Sequence, residues 1–202
     1  MPEASFDELL EAMRASVEIL QNHELPFALG GGIAAWAHGG PRSEHDVDLI
    51  VAPEHAEPAM EALAAEGLRT GRPPEGWLYK AWHDNGVLID LIFEPAGGAY
   101  TVEQIELMPR KEVAALRIRV LPAEDILTSK LLALTEQDPD YSEVLEMARA
   151  LREQIDWHSL EARTAASPFA AAFFTLTRRL GIDPRSAGEE RRGAFRVASQ
   201  AP

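Results

Sequence analysis

The sequence predicts an α/β (α+β) chain, with a small mixed sheet flanked by helices and then a helical carboxy-terminal region. Three observations carry this. A short apolar run, Phe27-Ala28-Leu29, ends in Gly30-Gly31-Gly32 and passes into a helix-compatible stretch at 33–38. Two further apolar runs, 77–83 and 87–93, are joined by Asp84-Asn85-Gly86, and Asn-Gly is the strongest short-range hairpin signal. After Pro122 nearly everything to about residue 181 is helix-like.

Each element has its own warrant. Ser5 lies three residues before Glu8 in the capping-box pattern, and Phe6, Leu9, Leu10, Met13, Val17 and Leu20 recur at helical spacing, which predicts a first helix over 5–22. Gly39-Gly40-Pro41 breaks the second helix, and 46–51 begins with alternation and ends as an apolar run suited to a buried strand. Residues 54–66 are rich in Ala and Glu, with Met60 and Leu63 on one face and Gly67 at the helix stop. The runs 77–83 and 87–93 are expected as antiparallel neighbours, and 115–121 as a weak strand. Asp138-Pro139, Asp156-Trp157 and Ser167-Pro168 punctuate three or four carboxy-terminal helices. The expected organisation is an α/β core over 1–121, a helical region over 122–190 and a frayed tail over 191–202.

Composition bounds the function. With 46% hydrophobic residues in a chain of 202, a core is available and disorder is excluded as the main state. A formal charge of −14 argues against broad binding to duplex DNA, although the surplus is uneven: net −11 over 1–121 and net +3 over 168–202. Absence of Cys excludes a disulfide scaffold, a Cys-ligated zinc site and a thiol nucleophile. No run approaches the roughly 20 apolar residues of a membrane span, and the start lacks the pattern of a secretory signal, so a cytoplasmic, membrane-free protein is expected.

Chemistry concentrates at Asp46-Val47-Asp48, because residues i and i+2 of a strand project from the same face. Two adjacent carboxylates repel unless cations sit between them, and oxygen-only ligand pairs suit Mg²⁺; alternatively, the pair is a solvated strand start. Asp90 interrupts Val87-Leu88-Ile89 and Leu91-Ile92-Phe93, where an unpartnered buried carboxylate costs several kcal/mol. On a strand next to 46–51 it completes a triad able to hold two cations about 4 Å apart; on an edge strand it simply faces water. Gly30-Gly31-Gly32 gives a ligand close access to backbone amides at a helix start, or is only a tight turn.

Taken together, Leu29, Gly31-Gly32, Arg42, Asp46-Val47-Asp48 and Asp90 resemble the pattern of the DNA polymerase beta superfamily of nucleotidyltransferases, in its small stand-alone bacterial form. The similarity spans roughly 25–93 and extends to the aminoglycoside and lincosamide enzymes and to the toxin and abortive-infection enzymes alike. It implies a nucleotidyltransferase-like fold and a Mg²⁺-dependent enzyme that moves a nucleoside monophosphate from a triphosphate such as ATP to a hydroxyl. Asp46, Asp48 and Asp90 would be the catalytic and metal-binding residues for two Mg²⁺ ions. Gly31 and Gly32 would hold phosphates, and Arg42 would brace the loop before Asp46.

Farther on, 122–133 is similar to the segment after the sheet in toxin-like members, where a Lys contacts the triphosphate, and Lys130 matches it. On spacing alone Lys130 points along an apolar helix face, as a snorkelling lysine or as a phosphate ligand. Asp140 and Glu143 resemble the acidic pair that follows, but Pro139 stands where the family has Lys or Arg, and a plain helix start explains the acids as well. The acceptor implied is an RNA or tRNA end, a protein or a small cationic molecule, the last because an acidic chain concentrates cations. The rival reading is a non-catalytic nucleotide-binding or interaction protein on the same fold. His38, His45 and His83 lack the spacing of a zinc site.

Overall fold

A computed structural model describes residues 4–43 and 45–185. The frayed tail expected over 191–202 lies outside them. The chain divides into two compact units, Met1–Ile126 and Leu127–Pro202.

In the first unit, α1 (Phe6–Asn22) starts at a complete capping box between Ser5 and Glu8 and buries Leu9, Met13, Val17 and Leu20. Then come β1 (Phe27–Leu29), α2 (Gly31–Ala37), β2 (Asp46–Val51), α3 (Pro53–Ala65), β3 (Arg69–Gly71), β4 (Leu78–Trp82) and β5 (Leu88–Ile92). They make one mixed sheet in the order β1-β2-β5-β4-β3, in which only β2 and β5 run parallel. Val47, Leu49 and Val51 of β2 and Ile89 and Leu91 of β5 are fully buried on one face, against which α1 and α3 pack. Period two then sends Asp46, Asp48 and Asp90 to the other face.

Three elements arrive that the sequence pattern did not announce: β3, α4 (Val102–Leu107) and β6 (Arg110–Val113), the last paired with β7 (Leu116–Arg119). The β6–β7 turn is Ala114-Ala115, both at positive φ (48° and 67°). That is the left-handed pair a two-residue hairpin loop needs, made here without the Asn or Gly that usually marks it. Just beyond β7, the Leu121 N–H donates to the Leu29 carbonyl at 2.8 Å, so the chain continues along the β1 edge.

Next, α5 (Ala123–Ala133) runs across the boundary between the units. The second unit continues with α6 (Ser142–Leu151), α7 (Trp157–Arg163) and α8 (Pro168–Arg179), so among the described residues four helices follow Pro122. Asp156 caps α7 and Ser167 caps α8, with Pro168 at its first turn. Fully buried Asp183 receives Arg185 Nη2 at 2.6 Å and Nε at 2.9 Å, and Arg178 joins through Glu161 at 2.6 Å. Among the described residues no helix is long and apolar enough to cross a membrane.

Burial pulls the Asp183 carboxyl upward, but hydrogen bonds from Arg185 and the charges of Arg185 and Arg178 outweigh it and hold the group below its usual range. A depressed carboxyl stabilises the fold above its unfolded pKa of about 3.9 and loses that contribution as pH falls through the folded value. Asp183→Asn is expected to cost about 2 kcal/mol at neutral pH. Urea denaturation followed by circular dichroism should show this cost shrinking as pH drops below about 4.

Candidate active site

The site is built on three neighbouring strands. Asp48 of β2 lies directly beside Asp90 of β5, and Asp90 lies opposite Lys80 of β4. Carboxylate oxygens of Asp46, Asp48 and Asp90 come within 4.8 Å of one another. This is the triad expected if 87–93 neighbours 46–51, and the edge-strand alternative for Asp90 is excluded: β5 is central, and Asp90 is 7% exposed.

Lys80 supplies the partner that a buried carboxylate needs. Its Nζ donates to Asp90 Oδ1 at 3.1 Å and to Oδ2 at 3.3 Å. Burial is the largest influence on Asp90 and pushes its carboxyl above the ordinary range; Lys80 draws it down, while Asp46 and Glu75 push it up further. Sequence reasoning missed Lys80, although the hairpin contained the signal. Asp84-Asn85-Gly86 is a three-residue loop with Gly86 at φ 87°, and this loop length pairs Lys80 with Asp90.

Around Asp48 the glycines form a close-fitting wall. The Gly30 N–H donates to the Asp48 carbonyl at 2.8 Å. Gly31 has φ 56°, and a Cβ there would fall on the Asp48 carboxylate. A Cβ on Gly32 would lie 2.5 Å from Ser43 Oγ. The carboxylate therefore sits at the amino-terminal end of α2, where the helix dipole favours negative charge.

The remaining expected residues have contacts of their own. Arg42 stacks its guanidinium 5.2 Å from the Phe6 ring centroid, and Phe6 packs edge-on against Trp36 of α2. That contact ties Arg42 to α1. Lys130 belongs to the second unit, where it is paired with Glu143 at 2.7 Å. Together with Ala133, Leu134, Asp138, Asp140 and Val144 they line a cleft of about 270 Å³. His38 holds the Leu121 carbonyl at 2.9 Å, and the His83 ring accepts from the Asn85 N–H.

No protein-family model matches the chain, and no curated protein does. Solved structures do. The antibiotic-resistance factor ANT(2'')-Ia in solution aligns at 18% identity over 87% of this chain and 98% of its own, with a TM-score of 0.61. The chain has a nucleotidyltransferase fold. ANT(2'')-Ia in complex with adenylyl-2''-tobramycin aligns at 18% identity over 81% and 98%, with a TM-score of 0.59. The lincosamide antibiotic adenylyltransferase LnuA, lincomycin-bound, aligns at 14% over 72% and 97%, with a TM-score of 0.51. At such identities the likeness is one of fold, and the mixed sheet flanked by helices is the architecture it shares.

Gly31→Ala tests the wall directly. Alanine at a left-handed φ costs about 1 kcal/mol, and the added methyl also displaces the Asp48 carboxylate. A total loss of about 2 kcal/mol or more is expected in chemical denaturation.

Proposed function

We propose that this protein transfers a nucleoside monophosphate from a nucleoside triphosphate to an acceptor hydroxyl and releases pyrophosphate. The observation that carries this reading is the meeting of Asp46, Asp48 and Asp90 within 4.8 Å, beside the glycine-opened start of α2. In the reaction an acceptor oxygen forms a bond to the α-phosphorus while the bond to the bridging oxygen of the β-phosphate breaks. Pyrophosphate leaves with that electron pair, and the acceptor proton goes to Asp90 and then to solvent.

The donor set fits Mg²⁺, since all three side chains offer hard oxygen ligands. Asp46 and Asp48 would hold two ions and Asp90 one of them. When bound, the ions neutralise phosphate charge and lower the pKa of the acceptor hydroxyl. Burial, which raises the proton affinity of Asp90, suits it to receive that proton. Backbone N–H groups at Gly31 and Gly32 would orient the β- and γ-phosphates, as amides at a helix start do for anions. Arg42, held on Phe6, braces the loop leading to Asp46. Lys130, paired with Glu143, is assigned to the triphosphate by the family resemblance alone.

For the acceptor, the solved neighbours support a small hydroxylated molecule over an RNA end or a protein. One of them holds adenylyl-2''-tobramycin and another holds lincomycin. Incubation with each α-labelled triphosphate, Mg²⁺, and hydroxylated antibiotics, tRNA or protein in turn is expected to label one acceptor class. Triphosphate binding without any labelled product would favour the non-catalytic reading.

Asp46→Asn and Asp48→Asn should each reduce transfer by more than about a hundredfold while leaving the metal-free fold as stable as before or slightly more so, because one of three repelling charges is gone. They should also lose most of the rise in melting temperature given by Mg²⁺ with triphosphate. Asp90→Asn should keep triphosphate binding and lose transfer; a rate within about threefold of wild type, under about 1 kcal/mol in the barrier, would overturn its role.

Lys130→Ala should weaken binding of the triphosphate but not of the monophosphate in calorimetric titration. Equal effects on both ligands, or none on either, would remove Lys130 from the site.

A further inference from the structure

Lys80 is the cation beside the carboxylates to which the proposed reaction gives no task. Its ammonium spans both oxygens of Asp90 at 3.1 and 3.3 Å, and the hairpin register sets the two residues opposite each other.

Withdrawal of that ammonium has a path. The Lys80 side chain keeps 26% of its surface, and its neighbour on the far side in the sheet is Gly71, which has no side chain to block it. A lysine carries its charge on a flexible four-carbon stem, so the head can move while the backbone stays.

We propose that Lys80 is an internal counter-ion that competes with the metal ion for Asp90, keeping that carboxylate closed to a cation until one displaces the ammonium. The inference rests on reading Asp46, Asp48 and Asp90 as metal ligands. Lys80 is thus a positioning residue: it sets how tightly the third carboxylate is available. A lysine present only to stabilise the folded hairpin would leave cation affinity unchanged or, by disordering Asp90 when removed, make it weaker.

The probe is Mn²⁺ alone, titrated into the full chain without nucleotide and followed by the paramagnetic resonance of the free ion. Lys80→Met should bind Mn²⁺ about tenfold more tightly than wild type, the effect of removing one adjacent competing charge. Lys80→Arg, which keeps a cation on Asp90, should stay near wild type. Equal or weaker binding by Lys80→Met overturns the proposal. If that variant does not fold, the wild-type chain decides. It has three lysines, Lys80, Lys111 and Lys130, so an amine-acetylating reagent read by mass spectrometry reports Lys80 against two internal references. Mn²⁺ should raise Lys80 labelling relative to the other two, and no rise overturns the proposal. Mn²⁺ binding that ignores residue 80 defeats this inference alone, whereas no Mn²⁺ binding by any variant defeats the metal reading beneath it.

Discussion

Mutual repulsion among three carboxylates is the constraint that the surrounding structure has to bear. Asp46 and Asp48 are locked by strand geometry onto one face, and the parallel pairing of β2 with β5 brings Asp90 to Asp48 at the same level. Backbone ladders on both sides of β2 and β5 keep these residues from drifting apart, and the fully apolar opposite face anchors both strands. Part of the compensation is local: the start of α2 beside Asp48 and the ammonium of Lys80 on Asp90.

Steric demands at the same place explain the glycines better than turn propensity does. Gly31 adopts a left-handed backbone and leaves the volume that the Asp48 carboxylate fills. Gly32 admits Ser43, and Gly30 ties its N–H to the Asp48 carbonyl. The glycine run and the aspartates are therefore parts of one packed unit in which each shapes the other. Phe6, Trp36 and Arg42 extend that unit to the first helix.

Much of this was legible because the signals are local. The period-two pair Asp46 and Asp48, the polar interruption at Asp90, the Asn-Gly hairpin and the capped first helix all express their structure within a few residues. What escaped depends on partners or on atypical chemistry. Lys80 needed the hairpin register, which follows from a three-residue loop; a two-residue Asn85-Gly86 loop would have set Lys80 opposite Leu91 instead. β6 was hidden because Ala114 and Ala115 take positive φ without the residues that favour it. α4 is only six residues long, yet Thr101 and Gln104 form a full capping box that pattern reading could have found. β3 has three residues, too few to alternate. Glu143, passed over as an ordinary helix-start acid, is the partner of Lys130.

The parallel pairing of β2 with β5 also bears on how the molecule assembles. Antiparallel β4 and β5 are joined by a short loop, so their ends meet at small entropic cost, whereas Asp48 and Asp90 belong to strands that α3, β3 and β4 separate along the chain. Contacts between near neighbours close faster than those between distant segments, which places the β4–β5 ribbon ahead of its union with β2. Asp90 thus meets its lysine in a local ribbon first and the other acids afterwards. A chain that assembles in that order does not gather three like charges at once, and the β2–β5 pairing is the step that creates the cluster.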